Sequence, residues 1–381
     1  MTDARVAKLA DLLVNYSLQL QPGETVRIDG GTVAAPLVTE LYRAALRAGA
    51  HPRPRIQLEG LEVISVSESS EEQLTFVSEL DRLEVEQVDA VVTIWGDRNT
   101  RSLGQTDPQR LTRQLGARRV LVERFYERVD KGEAKWVGTR FPTDGHAQDA
   151  DMSLAEYEDF VYGACHVRDG EDPVAHWSAV SRQLDAHAQT LGSVRELRIL
   201  GPDTDLRLGV KGRRWLAAAG EHNMPDGEVY TSPVEDATEG DVSFTFPAIY
   251  RGRGVEDVRL RFEGGRVVKA EAAMGQDYLL SLLDMDEGSR ILGELAFGLN
   301  YEIERFTRDI LFDEKLGGTM HLALGASFKK VGGLNESGLH WDMICDLREE
   351  GEVYADGELV WKAGRFLEDP GAVAAEPVAT S

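Results

Sequence analysis

The sequence predicts an α/β fold in two parts: an N-terminal α/β domain with a mainly parallel sheet over residues 1–190, and a C-terminal mixed α+β domain over residues 191–381. Three observations predict it. Strand-like apolar runs alternate with amphipathic helical stretches in the first half, the pattern of βα units. In the second half, short strands and glycine-marked hairpin turns take over. At 381 residues the chain also exceeds one typical domain.

Val6, Leu9, Leu13 and Tyr16 recur at helical spacing and mark one face of an opening helix. Pro22-Gly23 makes a turn into a strand at Glu24–Asp29, and Pro36–Ala48 reads as a helix ended by Gly49. Arg53–Leu58 is strand-like, and the buried-type run Val88–Trp95 reads as a further strand. Gly30-Gly31 follows the first strand, but no G-x-G-x-x-G or P-loop pattern continues from it, so no nucleotide site is expected. Trp177–Leu191 reads as a linking helix, followed by short strands at Val194–Leu200, Asp205–Val210 and Val242–Phe246. Val258–Phe262 and Val267–Ala272 flank Glu263-Gly264-Gly265, while Glu352–Tyr354 and Leu359–Trp361 flank Ala355-Asp356-Gly357; both are hairpin signals. The tail from Asp369, rich in Ala, Pro and Val without periodicity, reads as loose. There is no internal repeat.

Composition excludes several classes of function. A formal net charge of -24 would repel phosphate, which argues against nucleic-acid partners. The acidity could favour substrates with a cationic amino terminus, or it could simply maintain solubility. No apolar run approaches the roughly 20 residues of a membrane span. Asp3 and Asp11 interrupt the stretch where a signal peptide would need an apolar core. Cys165 and Cys345 are the only cysteines, too few for a disulfide scaffold, and a cytoplasmic protein is expected.

The chemistry is concentrated in GLHWDMIC, Gly338–Cys345. Alternate strand residues share a face, so His340 and Asp342 would project together while Trp341, Met343 and Cys345 pack on the other side. An imidazole and a carboxylate so placed can be a pair of metal ligands; the bland alternative is a hydrogen-bonded His near a strand end. Upstream, His321 in GGTMHLALG shares a strand face with Thr319 and Ala323. Glu228 in NMPDGEVYTSP and Glu294 in ILGELAFG each follow a glycine and are flanked by apolar residues. A carboxylate in such surroundings must be paired, metal-bound or left exposed on an edge. The other histidines, His51, His146, His166, His176, His187 and His222, lack partners at ligand-like spacing.

Taken together, TDLRL, NMPDGEVYTSP, GSRILGELAFG, EKLGGTMHLALG and NESGLHWDMICDLR, in that order, resemble the M29 family of metallo-aminopeptidases. Weaker matches in the N-terminal half extend the likeness from about Leu12 to about Phe366. The resemblance implies removal of amino-terminal residues from peptides with a free N-terminus, in a homodimer with an enclosed active-site cavity. It also implies two divalent metals held by Glu228, Glu294, His321, His340 and Asp342. Some members carry a tyrosine seven residues after the first metal-binding His. This chain has Phe328 there, which has no hydroxyl to donate, so that tyrosine's role is not carried over.

Charge counting is consistent with two metals. Three carboxylates against two divalent ions leave one positive charge, which a hydroxide would neutralise, and metal-bound water can have a pKa of about 7. A mixed N/O set without thiolate suits Zn, Co or Mn. Two rivals remain at this point: a ring-cleaving dioxygenase with one iron on two His and one carboxylate, for which His321, His340 and Asp342 would suffice, and a non-catalytic binding protein. Retention of Glu228 and Glu294 favours the dinuclear hydrolase.

Overall fold

In the first strand, Thr25–Gly31, Val26 and Ile28 are buried and alternate with half-buried neighbours, as expected of a strand covered more tightly on one face than on the other. In a computed structural model that describes residues 3–250 and 252–367, this strand is near the centre of a five-stranded sheet. The strand order is His51–Gln57, Thr25–Gly31, Ala90–Trp95, Lys135–Arg140 and Asn223–Met224, and every neighbouring pair is parallel. The sequence expectation of βα units and a parallel sheet is met. The opening helix, Ala4–Leu12, continues as a π-helical turn, Leu13–Ser17, and packs against the helix Ala35–Arg47, which buries Leu37, Leu41, Ala44 and Ala45. Gly30 and Gly31 belong to the strand itself; a Cβ on Gly30 would lie 3.4 Å from Ile94 Cβ. One long element escaped sequence reading, the helix Pro108–Asp130. It starts at an Asp107 cap with Pro108 in its first turn, yet it buries only Arg128, so no apolar stripe announces it. Arg128 donates to the carbonyls of Val85, Val88 and Glu133.

The chain divides into two compact units: residues up to His176 with Gly220–Pro225, and Trp177–Ala219 with the residues from Asp226 onward. Among the described residues, no helix is long and apolar enough to cross a membrane. The tail from Asp369 lies outside the described residues.

The second unit is built on two antiparallel sheets. One has eight strands and contains both expected hairpins, Arg259–Glu263 with Arg266–Glu271 and Glu352–Ala355 with Glu358–Lys362. Their turns use left-handed residues, Gly264 and Gly265 in the first and Asp356 and Gly357 in the second. The strand expected at Val242–Phe246 lies earlier, at Thr238–Ser243. Its polar Thr-Glu-Gly-Asp start hid it, and Gly240 is required there, since a Cβ would stand 2.1 Å from the Asp205 carbonyl oxygen.

The other sheet has five strands in the order His340–Asp346, Thr319–Gly325, Leu292–Gly298, Glu228–Thr231 and Leu216–Ala218. One face contributes Leu295, Phe297, Met320, Leu322, Leu324, Trp341, Met343 and Cys345 to a core shared with Leu197, Ile199 and Leu206 of the eight-stranded sheet. Each such fully buried side chain is worth about 1.5–3 kcal/mol, so this face anchors the strands firmly. The opposite face carries the candidate chemistry.

Candidate metal centre

Four adjacent strands supply the five residues singled out in the sequence. Glu228 opens its strand opposite Gly298, and His321 stands opposite Ala296. Ala323 faces both Glu294 on one side and Asp342 on the other. These methyl-sized or smaller neighbours leave the space above the sheet to the functional side chains. A bulge between Leu292 and Glu294 turns Glu294 onto this face, although Leu292 packs in the core. Gly293 makes the bulge possible, because a Cβ there would lie 2.0 Å from the Ala326 carbonyl oxygen. Gly227, at φ +124°, similarly lets the chain enter the Glu228 strand against Asn300.

The structure brings all five side chains together. His321 Nε2 lies 3.5 Å from Glu228 Oε2 and 3.8 Å from Glu294 Oε1. His340 Nε2 lies 3.3 Å from Glu294 Oε2 and 3.6 Å from Asp342 Oδ1. The Nδ1 atom of His340 is 2.9 Å from the Ala326 carbonyl oxygen, which orients the ring and leaves Nε2 facing the cluster. Glu228, Glu294 and His321 are buried, so neither glutamate is an exposed edge residue.

Burial alone would raise the pKa of Glu294, but the neighbouring imidazoles of His321 and His340 outweigh it and hold the carboxyl at about 2. Burial opposes charging of His340, yet Asp342 and Glu294 push its pKa up to about 10. His321 is raised as well, burial being overcome by Glu294 and Glu228. Glu228 is raised by burial, which Lys315 and His321 only partly offset.

Two residues here were not singled out in the sequence. Glu314 and Lys315 close a short helix, Ile310–Asp313, just before the His321 strand. The Lys315 ammonium is fully buried, hydrogen-bonded to Glu314, 3.6 Å from Glu228 Oε1 and 4.0 Å from Asp226 Oδ1. Gly298 admits this segment, since a Cβ there would lie 2.4 Å from the Leu316 carbonyl oxygen. The signal was present in EKLGGTMHLALG, but a charged pair beside a turn reads as solvent-facing until burial is known.

Among the described residues, two groups offer ligand atoms within 4.8 Å of one another: Glu294, His340 and Asp342; and Glu314, His321 and Asp342. Glu228 adjoins the second through His321. Phe328 forms an apolar wall, its ring centroid 5.4 Å from that of His340 and 5.5 Å from that of Tyr230. The remaining histidines lie in other settings; His222 stacks on Trp136, and His187 is buried against Phe366.

The family profile described as thermophilic metalloprotease (M29) matches residues 2–366. Aminopeptidase T of Thermus aquaticus is 28% identical, over 92% of this chain and 94% of that protein. Aminopeptidase 2 of Geobacillus stearothermophilus is 27% identical, over 94% and 97%. The solved structure of wild-type AmpT from Thermus thermophilus superposes with a TM-score of 0.83 at 27% identity, covering 96% of this chain and 99% of that one.

Proposed function

The chain belongs to the M29 family of metallopeptidases and is a metal-dependent aminopeptidase, and from that premise we propose that Glu228, Glu294, His321, His340 and Asp342 hold two divalent ions, Zn, Co or Mn, at the four-strand cluster. The observation that carries this reading is a set of buried donor atoms left without hydrogen-bond partners: Glu228 Oε2, His321 Nδ1 and Asp342 Oδ1. Buried polar atoms are ordinarily satisfied, so three orphans among two carboxylates and an imidazole fit a cation site. A mixed nitrogen and oxygen set with no thiolate suits the same ions.

When bound, such ions supply Lewis-acid polarisation of a carbonyl and a nucleophilic water near neutral pH. The protein's own residues supply the rest. Ala326 fixes the His340 ring, the core face holds the four strands in register, and Phe328 sets an apolar ring beside His340. The carboxylates offer a negative environment to the α-ammonium of a peptide substrate, which makes a free N-terminus part of recognition. Phe328 cannot donate a proton to the leaving amine. A one-iron site on two histidines and one carboxylate leaves no role for both Glu228 and Glu294 beside His321. A cytoplasmic homodimer completes the proposal.

The test is metal content per chain measured alongside peptide hydrolysis with and without oxygen. About two Zn, Co or Mn ions with oxygen-independent release of the first residue is the expected result. One iron with oxygen uptake would overturn it, as would full metal loading without turnover.

A further inference from the structure

We propose that the N-terminal unit carries a second binding site, a chamber between its parallel sheet and the helix Pro108–Asp130 that takes a free amino acid with a large apolar or aromatic side chain. The proposal does not depend on the metal assignment. It starts from an anomaly of that sheet. A parallel sheet ordinarily buries apolar side chains on both faces. Val26 and Ile28 do so on the face they share with Gly30, against the helix Ala35–Arg47. On the other face, the register brings Arg55, Asp29, Thr93 and Gly138 into one row and Arg27, Val91 and Trp136 into the next. The helices Glu79–Gln87 and Pro108–Asp130 cover this face without filling it, and a cavity of about 290 Å3 remains. Small-molecule sites run from roughly 300 to 1,000 Å3, so a chamber at the lower end suits an amino acid better than a peptide.

The walls divide by chemistry. Trp95, Trp136, Phe125 and Tyr126 supply aromatic surface. Tyr126 meets Trp136 edge-on at 5.9 Å, and His222 stacks on Trp136 at 5.2 Å. Gly138 lets Trp95 lie across the sheet, since a Cβ there would stand 2.2 Å from the Trp95 ring. Arg27 and Arg55 are each shared between Asp29 and Glu84 at 2.8–3.2 Å, so these four charges close on one another. Asp81 and Arg118 make the remaining charged part of the lining. Hydrogen bonds from Ser78, with Arg118 nearby, hold the Asp81 carboxyl below the ordinary range, while the Arg118 side chain is exposed. One anion and one cation beside an aromatic surface fit a zwitterion: its α-ammonium meets Asp81, its α-carboxylate meets Arg118, and its side chain packs on Trp95 and Trp136. A ligand bearing a single charge would gain from one of these two groups and be repelled by the other. Free amino acids are also the class of compound that hydrolysis at a peptide's first bond releases.

The experiment titrates the metal-loaded protein calorimetrically with L-phenylalanine and soaks its crystals with para-bromo-L-phenylalanine, locating the bromine by anomalous scattering. The bromine is expected in the chamber against Trp95 and Trp136. Arg118→Ala should weaken L-phenylalanine binding by about tenfold or more, the loss of one charge-assisted contact. Val122→Trp, placed at an exposed helix position on the chamber wall, should block binding by filling the space. Glycine, which has the same charges and no side chain, should bind at least about tenfold more weakly than L-phenylalanine. Metal content and peptide hydrolysis should stay at the wild-type level in both variants. Bromine found only at the metal centre overturns the proposal, as does bromine in the chamber without calorimetric binding, which is occupancy at crystal concentration only. Binding that survives both variants also overturns it, because the amino acid is then held elsewhere.

Discussion

Glu294→Gln is the sharpest perturbation of the cluster, because it keeps the shape of a buried side chain and removes only its charge. In the metal-free protein this carboxyl is held at about 2 against an ordinary 4.5, burial being outweighed by His321 and His340. A displacement of that size corresponds to roughly 3 kcal/mol favouring the ionised form. The pKa is depressed, so the contribution is present above about pH 4.5 and is lost as pH falls towards 2. At neutral pH, metal-stripped Glu294→Gln should therefore be less stable than wild type by up to roughly 3 kcal/mol in urea unfolding. In the presence of metal, the same variant loses a charge offsetting two cations, so affinity for at least one ion should fall and turnover should drop by orders of magnitude. Stability unchanged within about 0.5 kcal/mol, together with two ions bound as in wild type, would refute the reasoning and leave Glu294 a bystander.

Other expectations follow from the same geometry. His340→Ala and Asp342→Ala should each abolish hydrolysis and lower metal occupancy while leaving circular dichroism near wild type, because both residues are only half-buried; full activity without excess metal would remove the central assignment. Metal affinity should rise with pH up to about 10, since His340 must shed a proton to act as a ligand; a flat profile from pH 6 to 9 would contradict the raised pKa. That raised pKa also contributes stability to the stripped protein that is complete below about 6.5 and lost through about 10, so thermal melts at these pH values should differ in that sense. Peptides acetylated at the N-terminus should be poor substrates, and equal cleavage of blocked and free peptides would indicate an endopeptidase. Gly293→Ala, with its Cβ 2.0 Å from a carbonyl oxygen, should destabilise the bulge by about 1–3 kcal/mol and reduce metal binding without touching a ligand.

Much of the site was legible because strand alternation is a strict rule. His340 and Asp342 at i and i+2, with Trp341, Met343 and Cys345 between and beyond them, leave little choice of which face is core once the segment is a strand. The parallel sheet was legible for a different reason, in the mostly apolar, buried-type run ending at Trp95. Glu294 was visible as a candidate but its face was not, since the Gly293 bulge breaks alternation between Leu292 and Glu294. Glu314 and Lys315 were illegible as site residues because their burial arises from packing under Gly298, about 16 residues earlier, and not from local pattern. The helix Pro108–Asp130 was missed because its residues are nearly all exposed or half-buried, which removes the periodicity that reveals most helices.

The raised pKa values of His321 and His340 and the depressed value of Glu294 have one cause besides burial: imidazoles and carboxylates placed side by side each favour the charged form of the other. The Lys315 ammonium stands beside them, hydrogen-bonded to Glu314 and 3.6 Å from Glu228 Oε1. The cluster can therefore stay folded and preorganised while stripped, instead of collapsing through carboxylate repulsion. On the proposed assignment, metal entry would exchange protons for ions within a frame whose strand register is already fixed by the core on the other face. On this reasoning the fold does not depend on metal in the way a small zinc module does, and activity should return when metal is added back without a refolding step.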